Sequence, residues 1–116
     1  MVEAKIYVGL NDAFTREQRF DTSRYVTTLR RVCKNYHVAF SFEVTGGGYF
    51  HEDGTYVDEN NLVLTLIDVD PSTVREIAED LRAFFVQESV MITWDRVEAE
   101  FITVRDDIDV HDTVNP

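Results

Sequence analysis

The chain has a single cysteine, Cys33, among its 116 residues. No disulfide can form within it, and this usage agrees with a reducing compartment. It also lacks any apolar run near the roughly 20 residues that a membrane-crossing helix requires, so no membrane partner is expected. The opening Met1-Val2-Glu3-Ala4-Lys5 has neither the basic nor the apolar region of a signal peptide, and the expected location is cytoplasmic. Positive charge is scarce as well. Eleven Lys and Arg stand against twenty-two Asp and Glu, for a formal net charge of -11 at pH 7.

That scarcity is uneven. Seven basic residues lie at or before Lys34 against four acids, whereas from Asn35 onward eighteen acids meet only Arg75, Arg82, Arg96 and Arg105. Such a chain folds into a dipolar particle with one broad negative surface. The field opposes the approach of phosphate, so direct nucleic-acid binding is not expected, despite Arg24, Arg30, Arg31 and Lys34 on the first helix.

What is present is a well-patterned globular sequence, 44% hydrophobic and 12% aromatic. At this length one domain is expected, burying roughly two thirds of its unfolded surface. Ala4, Ile6, Val8 and Leu10 alternate with Lys5, Tyr7 and Gly9, as a strand with one buried face does. Thr15-Arg16-Glu17-Gln18 matches a capping box and predicts a short helical turn. Tyr25, Leu29, Val32, Cys33 and Tyr36 recur at helical spacing after a cap at Asp21 or Thr22. Val38, Phe40, Phe42 and Val44 predict a second strand, broken at Gly46-Gly47-Gly48. Tyr49-Phe50, a turn at His51-Glu52-Asp53-Gly54, and Thr55-Tyr56-Val57 then read as a small projecting hairpin. A nearly continuous apolar run from Leu62 to Val69 predicts a central strand.

Asp70-Pro71 opens a second helix with Val74, Ile77, Leu81 and Phe84 or Phe85 facing the core. Val90, Ile92 and Trp94 alternate, change phase at Asp95-Arg96, and continue as Val97, Ala99 and Phe101, which predicts a bulge or bend within the last strand. The domain is expected to span residues 1–104, with 105–116 as an acidic tail. The element order predicts an α+β, ferredoxin-like split βαβ fold: an antiparallel sheet with two helices on one face, plus an inserted β-hairpin. Its open face is expected to carry Lys5, Tyr7, Ser41, Glu43, Thr93, Glu98 and Glu100.

Lys5-Ile6-Tyr7-Val8-Gly9-Leu10, the Gly-rich turn with its acidic hairpin, and Gln87-Glu88-Ser89-Val90 resemble the signatures of an uncharacterised family of small bacterial proteins. That family has no assigned activity, so the resemblance implies a fold and no chemistry.

No catalytic motif stands out. The triple glycine lacks the Lys and Ser/Thr of a phosphate-binding loop and precedes a hairpin, so a turn is expected there. His51, Glu52 and Asp53 with a distant His37 or His111 have no metal-ligand spacing, and no metal or cofactor is expected. Cys33 sits on a core stripe without a dedicated base. Pairs such as Glu79 and Asp80, or Glu98 and Glu100, are what chance supplies in so acidic a chain.

The residues expected to bind are Tyr7, Glu43, Tyr49, Tyr56, Trp94, Glu98 and Glu100, as aromatic anchors and acidic contacts. Two readings follow. The first is a non-enzymatic acidic protein docking on a basic protein partner, of the kind a mobile element uses to imitate nucleic acid in anti-CRISPR or anti-restriction inhibition. The alternative is a homodimer that binds a small molecule or nucleotide between the open sheet face and the Gly-rich hairpin, with Arg24 or Arg96 for an anionic group.

Overall fold

The computed structural model describes residues 1–105. The expected acidic tail therefore lies, beyond Arg105, outside the described residues. Six elements follow in order: β1 (Val2–Gly9), α1 (Thr22–Asn35), β2 (Ser41–Phe50), β3 (Tyr56–Ile67), α2 (Pro71–Phe84) and β4 (Met91–Arg96). The strands form one sheet ordered β2-β3-β1-β4, and every neighbouring pair is antiparallel. This is the ferredoxin-like arrangement, in which each βαβ unit is split by a strand of the other.

The alternation in β1 buries Ala4, Ile6 and Val8 beneath the helices and leaves Lys5 and Tyr7 on the opposite face. On α1 the predicted stripe is the buried one: Tyr25, Leu29, Val32 and Cys33. Asp21 holds the N-cap position with extended backbone, but its side chain makes no capping hydrogen bond. On α2, Asp70 accepts from the Ser72 amide at 3.2 Å, and Pro71 takes a first-turn position where its missing N–H costs nothing. Ile6, Leu29, Leu62, Leu64, Leu66, Ile77 and Leu81 are fully buried between helices and sheet. Each contributes roughly 1.5–3 kcal/mol from burial. Phe85 completes the α2 stripe, and Phe84 points outward, 63% exposed.

Three segments depart from the sequence reading. The expected turn of helix at 15–18 is a loop, tied by an Asn11–Gln18 bridge. The triple glycine does not interrupt β2. The strand runs on with Gly47 opposite Glu59 and Gly48 opposite Asp58, as far as Phe50 opposite Tyr56. The projecting hairpin is thus the far end of the two longest strands, closed by a turn where Gly54 has φ 86°. Glycine is needed at 48, because a Cβ there would overlap the Tyr56 ring lying across the strand. Finally, β4 stops at Arg96. The Val97 amide donates to the Met1 carbonyl at 3.0 Å, and the alternation beyond it finds no neighbouring strand among the described residues.

Candidate functional site

The loop after β1 is pinned on two sides. Leu10 N–H donates to the Asn60 carbonyl at 3.0 Å, and Asn11 Nδ2 donates to the Asp58 carbonyl at 3.1 Å, which ties the loop to β3. On the other side Gln87 Nε2 donates to the Asn11 carbonyl at 2.6 Å, and the Ala13 amide donates to the Val86 carbonyl at 2.8 Å. Asp12 supports the turn from inside. Its Oδ1 accepts from the Phe14 and Thr15 amides at 2.7 and 3.0 Å, and Arg19 lies 3.7 Å from its other oxygen. Those contacts, the Thr15 amide foremost, hold its carboxyl below the ordinary value of 3.8.

At the end of α2, Val86 adopts φ 52°, a left-handed conformation that a β-branched residue takes only when its surroundings impose it. The Gln87 amide returns to the Arg82 carbonyl at 2.9 Å, and Arg82 Nη1 donates to the Gln87 carbonyl at 3.2 Å. This tight ending turns Gln87-Glu88-Ser89 toward the loop.

Loop, helix end and hairpin together enclose a polar cleft of about 360 Å³, lined by Asn11, Asp12, Ala13, Arg16, Tyr49, His51, Glu59, Gln87, Glu88 and Ser89. Arg16, His51 and Glu88 continue into an adjoining hollow with Glu52 and Asp53. Glu59 is the second constrained acid of the cleft, after Asp12. Its Oε2 accepts from the Asn11 amide at 3.0 Å, and a Cβ on Gly9 would overlap its carboxyl group. Burial pushes its carboxyl above the ordinary value of 4.5, against a smaller downward pull from the Asn11 amide. Among the described residues it makes no ion pair. Nearby, the Tyr49 and His51 rings meet edge to face at 5.1 Å, and His51 Nε2 is buried without a hydrogen-bond partner among the described residues.

Of the seven residues singled out from the sequence, Tyr49 alone lines this cleft. Tyr7 and Glu43 sit opposite Val63 from either side, on the open sheet face. Tyr56 lies across the other side of the hairpin, over a shallower hollow with Gly46, Gly47, Gly48, Asp58 and Asn60. A hydrogen bond to Asp58 raises its phenol pKa. Trp94 pairs with the inward-facing Ala4, so it belongs to the helix side, where the Arg75 guanidinium stacks 5.4 Å from its ring. Glu98 and Glu100 follow the end of β4 and are exposed, off the sheet face to which the alternation assigns them.

Arg24 stacks on Phe20 at 4.0 Å and lines a different hollow with Tyr25, Phe84 and Phe85, and Arg96 ends β4. Cys33 is buried, which pushes its thiol up to about 11 and keeps it protonated at neutral pH. Glu79 is bound to Arg82, and Asp80 accepts from the Tyr36 hydroxyl at 2.7 Å, pushing that phenol up to about 12. Among the described residues no three His, Cys, Asp or Glu are grouped to hold a metal ion, and no helix is long and apolar enough to cross a membrane. His111 lies outside the described residues.

The sequence reading missed Asn11, Asp12, Arg16 and Glu59. Tyr49 was singled out as an aromatic anchor and His51 was weighed as a ligand, while Gln87, Glu88 and Ser89 were flagged only as part of the motif that suggested a family resemblance.

The sequence matches no protein-family model and no curated protein. Solved structures do match. A phage SAM lyase in complex with S-methyl-5'-thioadenosine is similar with a TM-score of 0.64 and 25% identity, covering 81% of this chain and 79% of the other. The apo form of a phage SAM lyase gives a TM-score of 0.65 and 26% identity over 81% of this chain and 78% of that one. The periplasmic divalent cation tolerance protein CutA from Archaeoglobus fulgidus shares the fold at a TM-score of 0.53 and 10% identity, over 85% and 87% of the two chains.

Proposed function

We propose that the cleft binds S-adenosylmethionine and that the chain acts as a lyase, releasing S-methyl-5'-thioadenosine. The observation that carries this reading is Glu59: a half-buried carboxylate, wedged against Gly9, that has no ion-pair partner among the described residues, in a polar cleft of ligand size. A buried anion without a partner is unfavourable, and a cationic ligand relieves it. The sulfonium of S-adenosylmethionine is such a cation, and the Tyr49 ring adds a face suited to it. The likeness to the phage SAM lyase, whose structure holds the thioether nucleoside, supports the choice among cations.

The chemistry needs no nucleophile from the protein. S-methyl-5'-thioadenosine keeps the methyl and adenosyl groups, so the bond that breaks joins sulfur to the side-chain carbon of the methionine moiety. Its electron pair neutralises the sulfonium. In a lyase the carbon is satisfied from within the substrate, by attack of its own carboxylate oxygen as the C–S bond breaks, which closes a lactone. The protein then has to hold the sulfonium, orient the amino-acid chain and exclude water. Glu59 and Glu88 serve the positive groups, while Arg16 and the Gln87 and Ser89 side chains are the polar contacts available to the rest. This reading keeps the small-ligand alternative and places it at the hairpin base; the expectation of a protein without chemistry gives way to it as a proposal.

Calorimetric titration tests the binding step. S-adenosylmethionine should bind the wild type, and Glu59→Gln should weaken it by about tenfold or more, about 1.4 kcal/mol. Affinity for the neutral thioether should change far less. Equal loss for both ligands, or no binding of either, would count against the proposal.

The reading as an acidic docking protein draws on the exposed acids away from the cleft, Glu43, Asp95, Glu98 and Glu100. It requires a basic partner whose binding weakens steeply with salt.

A further inference from the structure

Among the described residues that line the cleft and its adjoining hollow, Arg16 is the only Arg or Lys, and it shares those walls with Asp12, Glu52, Asp53, Glu59 and Glu88. In such company an arginine is expected to find a carboxylate. Its guanidinium nevertheless makes no hydrogen bond or ion pair among the described residues. Other arginines near the cleft behave differently: Arg19 lies 3.7 Å from Asp12, and Arg82 holds Glu79 at 2.6 Å. The charge of Arg16 is felt only at a distance. Asp53 is held below the ordinary value of 3.8 by the Thr55 amide foremost, with smaller pulls from His51 and Arg16.

The backbone that presents this side chain is strained. Arg16 has φ 62°, in the left-handed region that favours glycine. The loop imposes it. The Asp12 amide donates to the Glu17 carbonyl at 2.9 Å, the Arg16 amide donates to the Asp12 carbonyl at 2.7 Å, and the Asp12 carboxylate caps the Phe14 and Thr15 amides between them. Glycine would close the same turn without strain. Strain of this kind, kept in the wall of a cleft, marks a side chain held there for function rather than for stability.

We propose that Arg16 takes the carboxylate of the methionine moiety, so that the cleft selects the whole amino acid and discriminates against sulfonium nucleosides that lack that group. The inference rests on the reading of the cleft as an S-adenosylmethionine site. The substrate carries a sulfonium, an ammonium and a carboxylate; Glu59 and Glu88 meet the two positive groups, and Arg16 is the one fixed cation left for the negative one. Its guanidinium is a planar fork of N–H donors matched to a carboxylate. The carboxylate loses its charge as one of its oxygens bonds to the carbon that sulfur leaves, so this contact is no stronger in the transition state than in the bound substrate. Arg16 therefore governs binding and choice of substrate more than the rate of bond breaking.

Calorimetry on the full chain with S-adenosylmethionine and its decarboxylated form, joined to steady-state kinetics of thioether release, tests it. The wild type should prefer S-adenosylmethionine by about tenfold or more, as a charge-assisted hydrogen bond supplies. Arg16→Gln should abolish that preference by weakening S-adenosylmethionine alone, and should raise KM while changing kcat far less. Arg16→Gly should lose the preference too, yet melt at or above the wild-type temperature, because glycine suits the left-handed backbone. A preference that survives Arg16→Gln, equal weakening of both ligands, or a lower melting temperature for Arg16→Gly would overturn the assignment of Arg16 and leave the lyase reading standing. A wild type that binds no S-adenosylmethionine would remove that reading and this inference with it.

Discussion

At the scale of single residues, the account rests on how Gly9, Asn11 and Glu59 fit together. The bare Cα of Gly9 lets the Glu59 carboxylate lie where a methyl group would clash. Gly9→Ala should therefore lower stability by about 1–3 kcal/mol, as overpacking does, and weaken ligand binding, read by thermal melts and calorimetry together. The two constrained acids respond to pH with opposite sign. Burial raises the Glu59 pKa, so in the range between its raised folded value and the ordinary 4.5 the folded chain holds more proton than the unfolded one. Its contribution to stability is full below 4.5 and is lost as pH rises through the folded value. Asp12 is held below 3.8, so its contribution is present above that value and is lost as pH falls through the folded one. Urea titrations across the acid range should show Glu59→Gln removing the first dependence and Asp12→Asn the second. A wild-type profile unchanged in both variants would contradict this assignment. Binding of a cation should weaken on acidification as Glu59 protonates.

At the scale of elements, the joint between the loop after β1 and the end of α2 positions the cleft. Gln87 Nε2 donates to both the Asn11 and Phe85 carbonyls. Gln87→Ala loses both bonds, and at roughly 0.5–1.5 kcal/mol each it should cost about 1–3 kcal/mol. Hydrogen exchange should quicken at the amides of residues 11–18 and leave β1 protected; uniform protection would show that the joint does not matter. The helices and the paired strands were legible in advance because burial imposes its period on Ala4, Ile6 and Val8, and on Tyr25, Leu29, Val32 and Cys33. Gly46-Gly47-Gly48 misled because glycine usually weakens a strand, whereas here it makes room for Tyr56 and lies close to Asn61. The alternation after Arg96 was read as a continuation of the last strand, which the structure does not bear out: β4 ends at Arg96, because a strand needs a neighbour and periodicity does not say whether one is there. The cleft was not legible because Asn11, Glu59 and Gln87 are distant in sequence and meet only through the sheet order. Single polar residues carry no period that would flag such a meeting.

At the scale of the whole molecule, the net charge of -11 has a direct use if the ligand is a cation. A negative particle raises the local concentration of a positive ligand and speeds its arrival, and salt screens this effect. Raising ionic strength from about 0.01 M, where the Debye length is about 30 Å, to about 0.15 M, where it is about 8 Å, should slow association of S-adenosylmethionine severalfold and leave the neutral thioether nearly unaffected. Stopped-flow binding with both ligands separates field from contact, and equal salt response for the two would remove any role for the field. The most direct measurement is to incubate the purified full-length chain with S-adenosylmethionine and resolve the products by liquid chromatography and mass spectrometry, with Glu59→Gln in parallel. The account predicts S-methyl-5'-thioadenosine accumulating with the wild type and at least tenfold more slowly with the variant. Intact S-adenosylmethionine after prolonged incubation with folded wild-type protein, or equal product from both chains, would contradict it.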